Sequence, residues 1–270
     1  MNKPISVAVN GAMGRMGMQV LKLLFNDTSF DVAGGIERKG HPSLLSQDNN
    51  TMEAKSTSNI VDDPGKINSS IDCFIDFSSP ESTMKLIEYA KIKSIATVIG
   101  TTGFSQSEME TIHKTANIIP VLLSPNMSVL VNLAFKLVEL SAKTLDDAYD
   151  AEIFELHHRN KVDAPSGTAI KFGELIAWAR DKSFKDTARY ARSGNTGARQ
   201  KGEIGIQTLR GGDVAGEHTV MFIGTGERLE ITHRSSSREN LAQGAVRAAK
   251  WIVGRPPALY NMFDVLGFSK

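Results

Sequence analysis

The sequence predicts an α/β protein in two parts: a doubly wound parallel sheet, then a smaller unit with a mixed or antiparallel sheet. Three observations carry this. Short apolar strand segments alternate with helical ones up to about residue 127, which is the rhythm of βαβ units. Beyond that point three strand segments follow one another with no helix between them, which favours a different kind of sheet. A chain of 270 residues also suits two domains of about 100–200 residues each.

Each element has its own reason. "ISVAVN" (5–10) is a short apolar strand, and "GRMGMQVLKLLFND" (14–27) sets Met16, Val20, Leu23 and Leu24 at helical spacing. "FDVAGGIE" (30–37) is a second strand, and the polar stretch 38–58, with its Gly, Pro, Ser and Asn, is a long surface loop. "CFIDF" (73–77), "IATVIG" (95–100) and "IIPVLLS" (118–124) are further strands. Between them "PESTMKLIEYAKIK" and "SQSEMETIHKTAN" are helices with N-terminal capping chemistry. The long helix "MSVLVNLAFKLVELSAKTL" leads into the strand "DAEIFELHH", and a helix covers 166–181. "EIGIQTLR", "EHTVMFIG" and "RLEITHRS" are the consecutive strands, and "ENLAQGAVRAAKWIVG" (239–254) is a helix whose domain the pattern leaves open.

Composition narrows the partners. Lys and Arg number 31 against 30 Asp and Glu, so no bulk field recruits nucleic acid or an acidic membrane. Any anion site must be local. Cys73 is the single cysteine and sits in the apolar run "IDCFIDF", the setting of a buried structural thiol. The N-terminal segment has neither a long apolar core nor a small-residue cleavage site, and no run reaches the ~18 apolar residues of a membrane span. A soluble cytoplasmic protein is expected, and no metal ligand set stands out.

The first chemistry-bearing stretch is "VAVNGAMGRMG", which sets Gly11, Gly14 and Gly17 between the first strand and the first helix. A dinucleotide pyrophosphate needs a tight turn there, close backbone approach and N–H groups at a helix start. The spacing departs from G-x-G-x-x-G, since Met13 stands where the second glycine is usual. A turn that merely permits close strand–helix packing is the plainer reading of the triplet alone. Context favours the nucleotide: Glu37 lies 20 residues beyond Gly17, where a carboxylate accepts from adenosine ribose hydroxyls. Arg38 beside it suits a 2′-phosphate, so the pair allows both NADH and NADPH. The turn "GTTGF" (100–104) follows a strand, which makes Gly100, Thr101 and Thr102 candidates to border the nicotinamide.

The second is "ELHHRNKVDAPSGT" (155–168). Strand alternation puts His157 on the side of Ile153 and Glu155, and His158 with Phe154 and Leu156. Both address one ligand only if the strand ends there. Lys161 lies roughly 13 Å past His157 if extended, so "RNKVDAPSG" must fold it back. The amides of Ser166, Gly167 and Thr168 then open a helix, a ready site for a carboxylate or phosphate. Singly, each residue reads as structural, and Asp163–Ala–Pro–Ser as turn and N-cap chemistry. Together they point to an anionic ligand and proton transfer.

These segments resemble the dihydrodipicolinate reductase family of bacterial diaminopimelate and lysine synthesis. "ELHHRNKVDAPSGTA" carries the resemblance most specifically. "VNGAMGRMG", "IER", "FIDFSSPE", "VIGTTGF", "SPNMSVLVN", "GEIGIQTLRGGDVAGEHTVMF" and "ERLEITHRSSSRENLAQGAV" extend it in order over nearly the whole chain. Two departures are visible: Asn160 stands where the family often has a third histidine, and Leu130 replaces a small residue.

The resemblance implies a Rossmann-type nucleotide domain formed by 1–127 and 239–270. It also implies a smaller α+β domain, 128–238, that binds substrate and whose mixed sheet mediates a homotetramer. By similarity Gly11, Ala12, Met13, Gly14, Arg15 and Met16 cradle the pyrophosphate, and Glu37 and Arg38 read the ribose. Gly100, Thr101 and Thr102 flank the nicotinamide, together with Ser124, Pro125, Asn126 and Met127. His157 is similar to the family's proton donor/acceptor and Lys161 to its proton donor. His158, Gly167 and Thr168 match substrate-binding positions, with Ser166 and Thr102 beside them. The implied activity is hydride transfer from NADPH or NADH to a small dicarboxylate, 4-hydroxy-tetrahydrodipicolinate. Another NAD(P)-linked imine or carbonyl reductase and a dinucleotide-sensing regulator without chemistry are the rival readings.

Overall fold

The computed structural model describes residues 3–44 and 59–268, so most of the 38–58 stretch lies outside the described residues. In chain order the first elements are β1 (Ile5–Asn10), α1 (Arg15–Phe25), β2 (Phe30–Ile36), β3 (Ile60–Val61), β4 (Cys73–Asp76) and α2 (Pro80–Lys93). β5 (Ala96–Ile99), α3 (Gln106–Ala116), β6 (Pro120–Leu123), α4 (Val129–Leu145) and β7 (Asp150–His157) follow. Then come α5 (Gly167–Ala179), α6 (Phe184–Thr187), β8 (Ala188–Tyr190), β9 (Ile204–Arg210) and β10 (Gly216–Ile223). β11 (Arg228–Ser235), α7 (Glu239–Ile252), β12 (Ala258–Tyr260) and α8 (Met262–Val265) complete the chain. Contacts divide it into Met1–Val129 with Arg238–Lys270, and Leu130–Ser237.

In the first unit seven strands of the described residues pair in the order β12-β6-β5-β4-β1-β2-β3. Every pairing is parallel. The inner strands are buried on both faces, hence their nearly continuous apolar sequences. Side-chain alternation divides them: Val7, Val9, Cys73, Ile75 and Val98 pack with one cluster, Ala8, Phe74 and Ile99 with the other. Burial pushes the Cys73 thiol pKa up, as an inert structural cysteine requires. Ser79 and Ser105 cap α2 and α3, the latter with a full capping box to Glu108. The open question about the last long helix has a clear answer. Ala242, Ala245, Ala248, Ala249 and Ile252 of α7 share a core with Val20, Leu21 and Leu24 of α1.

The second unit holds a sheet ordered β11-β10-β7-β9-β8. β10 runs antiparallel to β7 and β11, whereas β7–β9 and β8–β9 are parallel, so the sheet is mixed. Along β7 buried and half-buried residues alternate, with Ala151, Ile153, Glu155 and His157 turned inward. α5 covers the sheet with Phe172 and Ile176, and Phe172 meets Phe135 of α4 edge to face. β3, β8 and β12, two or three residues each, are too short to show a period and were not foreseen.

The turn between β1 and α1 is a tight approach in the first unit. Gly11 has φ +73, and a Cβ there would lie 2.6 Å from the Phe77 carbonyl oxygen. A Cβ on Gly17 would collide with the Gly11 and Ala12 carbonyl oxygens, so α1 rests directly on the turn. Gly17→Ala is therefore expected to lower stability by about 1–3 kcal/mol, the usual effect of overpacking. Urea unfolding checks it, and an unchanged midpoint would contradict the close packing.

Candidate active site

At the mouth of α1 the structure separates structural amides from those left for a ligand. The Gly11 and Ala12 N–H groups donate to the Ile36 carbonyl, Gly14 N–H to Gly11, and Met13 N–H to Glu37 Oε1 at 2.8 Å. The helical ladder begins with Met18 N–H to the Gly14 carbonyl at 3.0 Å, so the amides of Arg15, Met16 and Gly17 precede it. Gly14 caps the helix without a side-chain hydrogen bond, and no acidic residue stands in the first turn. A positive helix end without its own counter-charge, beside a glycine turn with no Cβ, fits a dinucleotide pyrophosphate. The expected six-residue cradle therefore narrows. Gly11 to Gly14 shape the loop, and the amides of Arg15 and Met16 lie ahead of the helical ladder. Glu37 follows the end of β2 and supports that loop with one carboxylate oxygen, with Arg38 next to it.

The C-terminal ends of β1, β4 and β5 meet where the strand order reverses, between β1 and β4, the usual ligand crevice of such sheets. A buried carboxylate, Asp76, organises it. Its oxygens accept from Asn10 Nδ2 (2.8 Å), Ser78 Oγ (2.6 Å), Thr83 Oγ1 (2.5 Å) and Thr101 Oγ1 (3.0 Å). Burial raises the Asp76 pKa against these four donors. Thr101 was expected to border the nicotinamide, but its hydroxyl is committed to Asp76 and it also accepts from Ser78 N–H. These bonds hold the loop, and Thr102 beside it is exposed. Similarly, the Met127 side chain lies in the core and Ser124 Oγ donates to the Asn126 carbonyl. Those two residues brace the loop that presents Pro125 and Asn126.

In the second unit the proton-transfer candidates converge on Glu155, whose side chain has no exposed surface. Arg210 donates from Nη1 to Glu155 Oε2 (2.8 Å) and from Nη2 to Oε1 (3.0 Å). The Ser166 N–H donates to Oε1 at 3.0 Å, and His157 Nδ1 lies 2.5 Å from Oε2. Burial would raise the Glu155 pKa, but these bonds outweigh it and hold the carboxyl below its ordinary range. For His157 burial dominates and lowers the pKa, with Glu155 opposing it.

Ser166 departs from expectation. Its N–H serves Glu155, while its hydroxyl caps α5 and lies 2.9 Å from His218 Nε2. Both of its polar groups are thus engaged within the protein, and Gly167 and Thr168 follow it in the first turn of α5. The chain does fold back after β7. His158 N–H bonds Val214, Arg159 N–H bonds Gly212, and Lys161 N–H closes onto the His158 carbonyl at 3.1 Å. Lys161 Nζ bonds both oxygens of Asp163 at 2.8 Å, which pulls that carboxyl pKa down. His157, His158, Lys161 and the α5 start accordingly belong to one locality. Sequence reasoning missed Arg210, 55 residues from Glu155, and His218. The inward phase of Glu155 along β7 was visible, but no charge partner in sequence marked it.

Fold and site define a dinucleotide-dependent oxidoreductase. Residues 5–127 match the family described as dihydrodipicolinate reductase, N-terminus, and 130–266 the one described as dihydrodipicolinate reductase, C-terminus. A 4-hydroxy-tetrahydrodipicolinate reductase of Geotalea daltonii is 46% identical over 98% of this chain and 100% of its own length. One from Anaeromyxobacter dehalogenans is 47% identical over 97% of both. The chain belongs to the dihydrodipicolinate reductase family. A dipicolinate-bound dihydrodipicolinate reductase from Paenisporosarcina sp. TG-14 has the same fold. Its TM-score is 0.78 at 23% identity, over 97% of this chain and 99% of that one.

The buried histidines tie stability to pH. Burial first, then the neighbouring His157, pushes the His218 pKa down to about 3, and burial lowers that of His233. The unfolded chain takes up these protons near pH 6.5 while the folded one does not, so stability rises with pH and is lost as pH falls below about 6.5. Replacing His218 by Gln is expected to flatten urea-derived stability between pH 6.5 and 4.5 by about one proton, ~1.4 kcal/mol per pH unit. Identical slopes in both proteins would contradict its neutral burial.

Proposed function

We infer that this chain reduces 4-hydroxy-tetrahydrodipicolinate with a hydride from NADPH or NADH. The products are tetrahydrodipicolinate, water and the oxidised dinucleotide, in diaminopimelate and lysine synthesis. One observation carries the reading. The histidine–lysine stretch is mounted on a buried Glu155–Arg210 pair beside a helix start, in a chain that belongs to this family through both of its units. We assign 1–127 with 239–270 to the dinucleotide and 128–238 to the substrate.

The chain's own groups do the following. The Arg15 and Met16 backbone and the α1 dipole hold the pyrophosphate, with Glu37 and Arg38 at the ribose; the two side chains together accommodate either dinucleotide. Thr102, Pro125 and Asn126 border the nicotinamide on loops fixed by Thr101, Ser124 and Met127. His158, Lys161 and the start of α5 at Gly167 and Thr168 bind the two substrate carboxylates, which explains a local cationic cluster in a protein of formal net charge +1. When bound, the reduced nicotinamide supplies the hydride that ends on substrate C4. One proton is consumed overall, taken up by the departing C4 hydroxyl as it leaves as water. Neutral His157 accepts the proton lost from the neighbouring ring carbon, and after hydride addition Lys161 delivers one to the atom that gains electron density.

We place the enzyme in the cytoplasm as a homotetramer joined through the second-unit sheet. Among the described residues no helix is long and apolar enough to cross a membrane. β11 is an edge strand that exposes Leu229, an edge that association would cover.

Loss of nicotinamide absorbance, with substrate made in situ from pyruvate and aspartate semialdehyde by its synthase, tests the assignment. Lys161→Ala is expected to lower kcat by more than about a hundredfold, within the 10²–10⁴-fold typical of proton transfer. An equal rate would remove Lys161 from the chemistry. No oxidation of either dinucleotide by the unmodified protein would leave the sensing regulator as the better reading.

A further inference from the structure

Hydride transfer and proton delivery leave the buried ion pair behind His157 without a stated task. Glu155 accepts four hydrogen bonds, from both terminal Arg210 nitrogens, from Ser166 N–H and from the imidazole. A carboxylate held by an arginine fork is ionised and only accepts. The nitrogen opposite it must then carry the proton, so His157 is protonated on Nδ1. A neutral ring so protonated keeps a lone pair on Nε2. That lone pair faces Gly216, the first residue of β10, where a Cβ would stand 2.9 Å from Nε2. Any other residue would cover it.

We propose that Glu155 and Arg210 are positioning residues that fix the His157 tautomer, and that Gly216 leaves its Nε2 open as a hydrogen-bond acceptor toward substrate. The proposal rests on the role given to His157 above and deepens it: His157 accepts, Lys161 donates. Arg210 reaches further still. Its Nη2 donates to the Asp163 carbonyl at 2.6 Å, and Asp163 holds Lys161. One guanidinium thereby ties both proton-handling side chains to the same carboxylate.

The surroundings of His157 define what loss of Glu155 does. Glu155 faces it from β7, Arg210 from β9, His218 edge-on from β10 with ring centres 5.1 Å apart, and Lys161 from the following turn. Glu155 is the anion of the set. Without its charge the ring loses the attraction that opposes desolvation, and its proton affinity falls. The tautomer also loses its anchor, since a glutamine both donates and accepts.

The test is ¹⁵N NMR of histidine-labelled full-length protein, with the His157 signals identified by their absence in His157→Gln. The unmodified protein should show Nδ1 protonated and Nε2 bare. In Glu155→Gln the Nε2-protonated form should appear. Its kcat should fall about 10- to 100-fold, part of the 10²–10⁴-fold typical of a general acid or base. The acid limb of its pH profile should move to lower pH, with KM changed by less than about threefold, the mark of an interaction made in the transition state. Should Glu155→Gln fail to fold, Arg210→Lys keeps the charge, loses the fork and should show the same trend more weakly. Gly216→Ala should keep the tautomer yet lose kcat/KM. A bare Nδ1 in the unmodified protein, or a Glu155→Gln variant with unchanged tautomer and kcat, would overturn the proposal. Full activity in His157→Gln would overturn it through the reading of His157, and the unmodified protein's spectrum tells that failure from failure of the carboxylate anchor.

Discussion

A carboxylate with no exposed surface is the constraint around which the second unit is arranged. Removing Glu155 from water costs several kcal/mol unless its lone pairs are filled and its charge matched. The structure meets this with contributions from separate elements: Arg210 at the end of β9, the Ser166 amide at the start of α5, and the imidazole at the end of β7. Each contribution fixes something else in turn. The arginine binds the turn that carries Lys161, the amide seats the start of α5, and the imidazole acquires a defined proton. Breaking such a pair on one side leaves an uncompensated charge, which is far more damaging than never having built it.

The first unit solves a similar problem with neutral donors. Asp76 is also buried, but Asn10, Ser78, Thr83 and Thr101 satisfy it rather than a cation. Those residues come from β1, the loop after β4, α2 and the loop after β5, so one carboxylate holds together the strand ends that border the crevice. The two units thus follow one physical rule. Polar groups with no solvent organise the loops, and the loops carry the exposed residues assigned to the ligands.

Much of this was legible in sequence because it obeys a short period. Continuous apolar runs marked a doubly covered parallel sheet, and two-residue alternation along "EIFELHH" put His157 and Glu155 on one face, where they are found. Capping serines and the glycine turn were equally local. What was not legible is long-range or ambivalent. Arg210 resembles any strand-end arginine until β9 pairs beside β7 and aligns it with His157. Ser166 and Thr101 carry the same hydroxyl whether they bind a ligand or satisfy a buried carboxylate, and only the fold reveals which. β3, β8 and β12 are shorter than the pattern needed to recognise them. The departures at Asn160 and Leu130 fall on exposed positions, away from the buried hydrogen bonds that order the site.

The central claim is that a hydride passes directly from a nicotinamide to C4 of the cyclic dicarboxylate. Its most direct test uses dinucleotide carrying deuterium at C4 of the reduced nicotinamide, with the label located in the product by mass spectrometry and NMR. The account predicts one deuterium at product C4 when the label is on the transferred face, and none there when only the solvent is deuterated. Label that fails to reach C4 from either face, or that arrives from solvent, would contradict it.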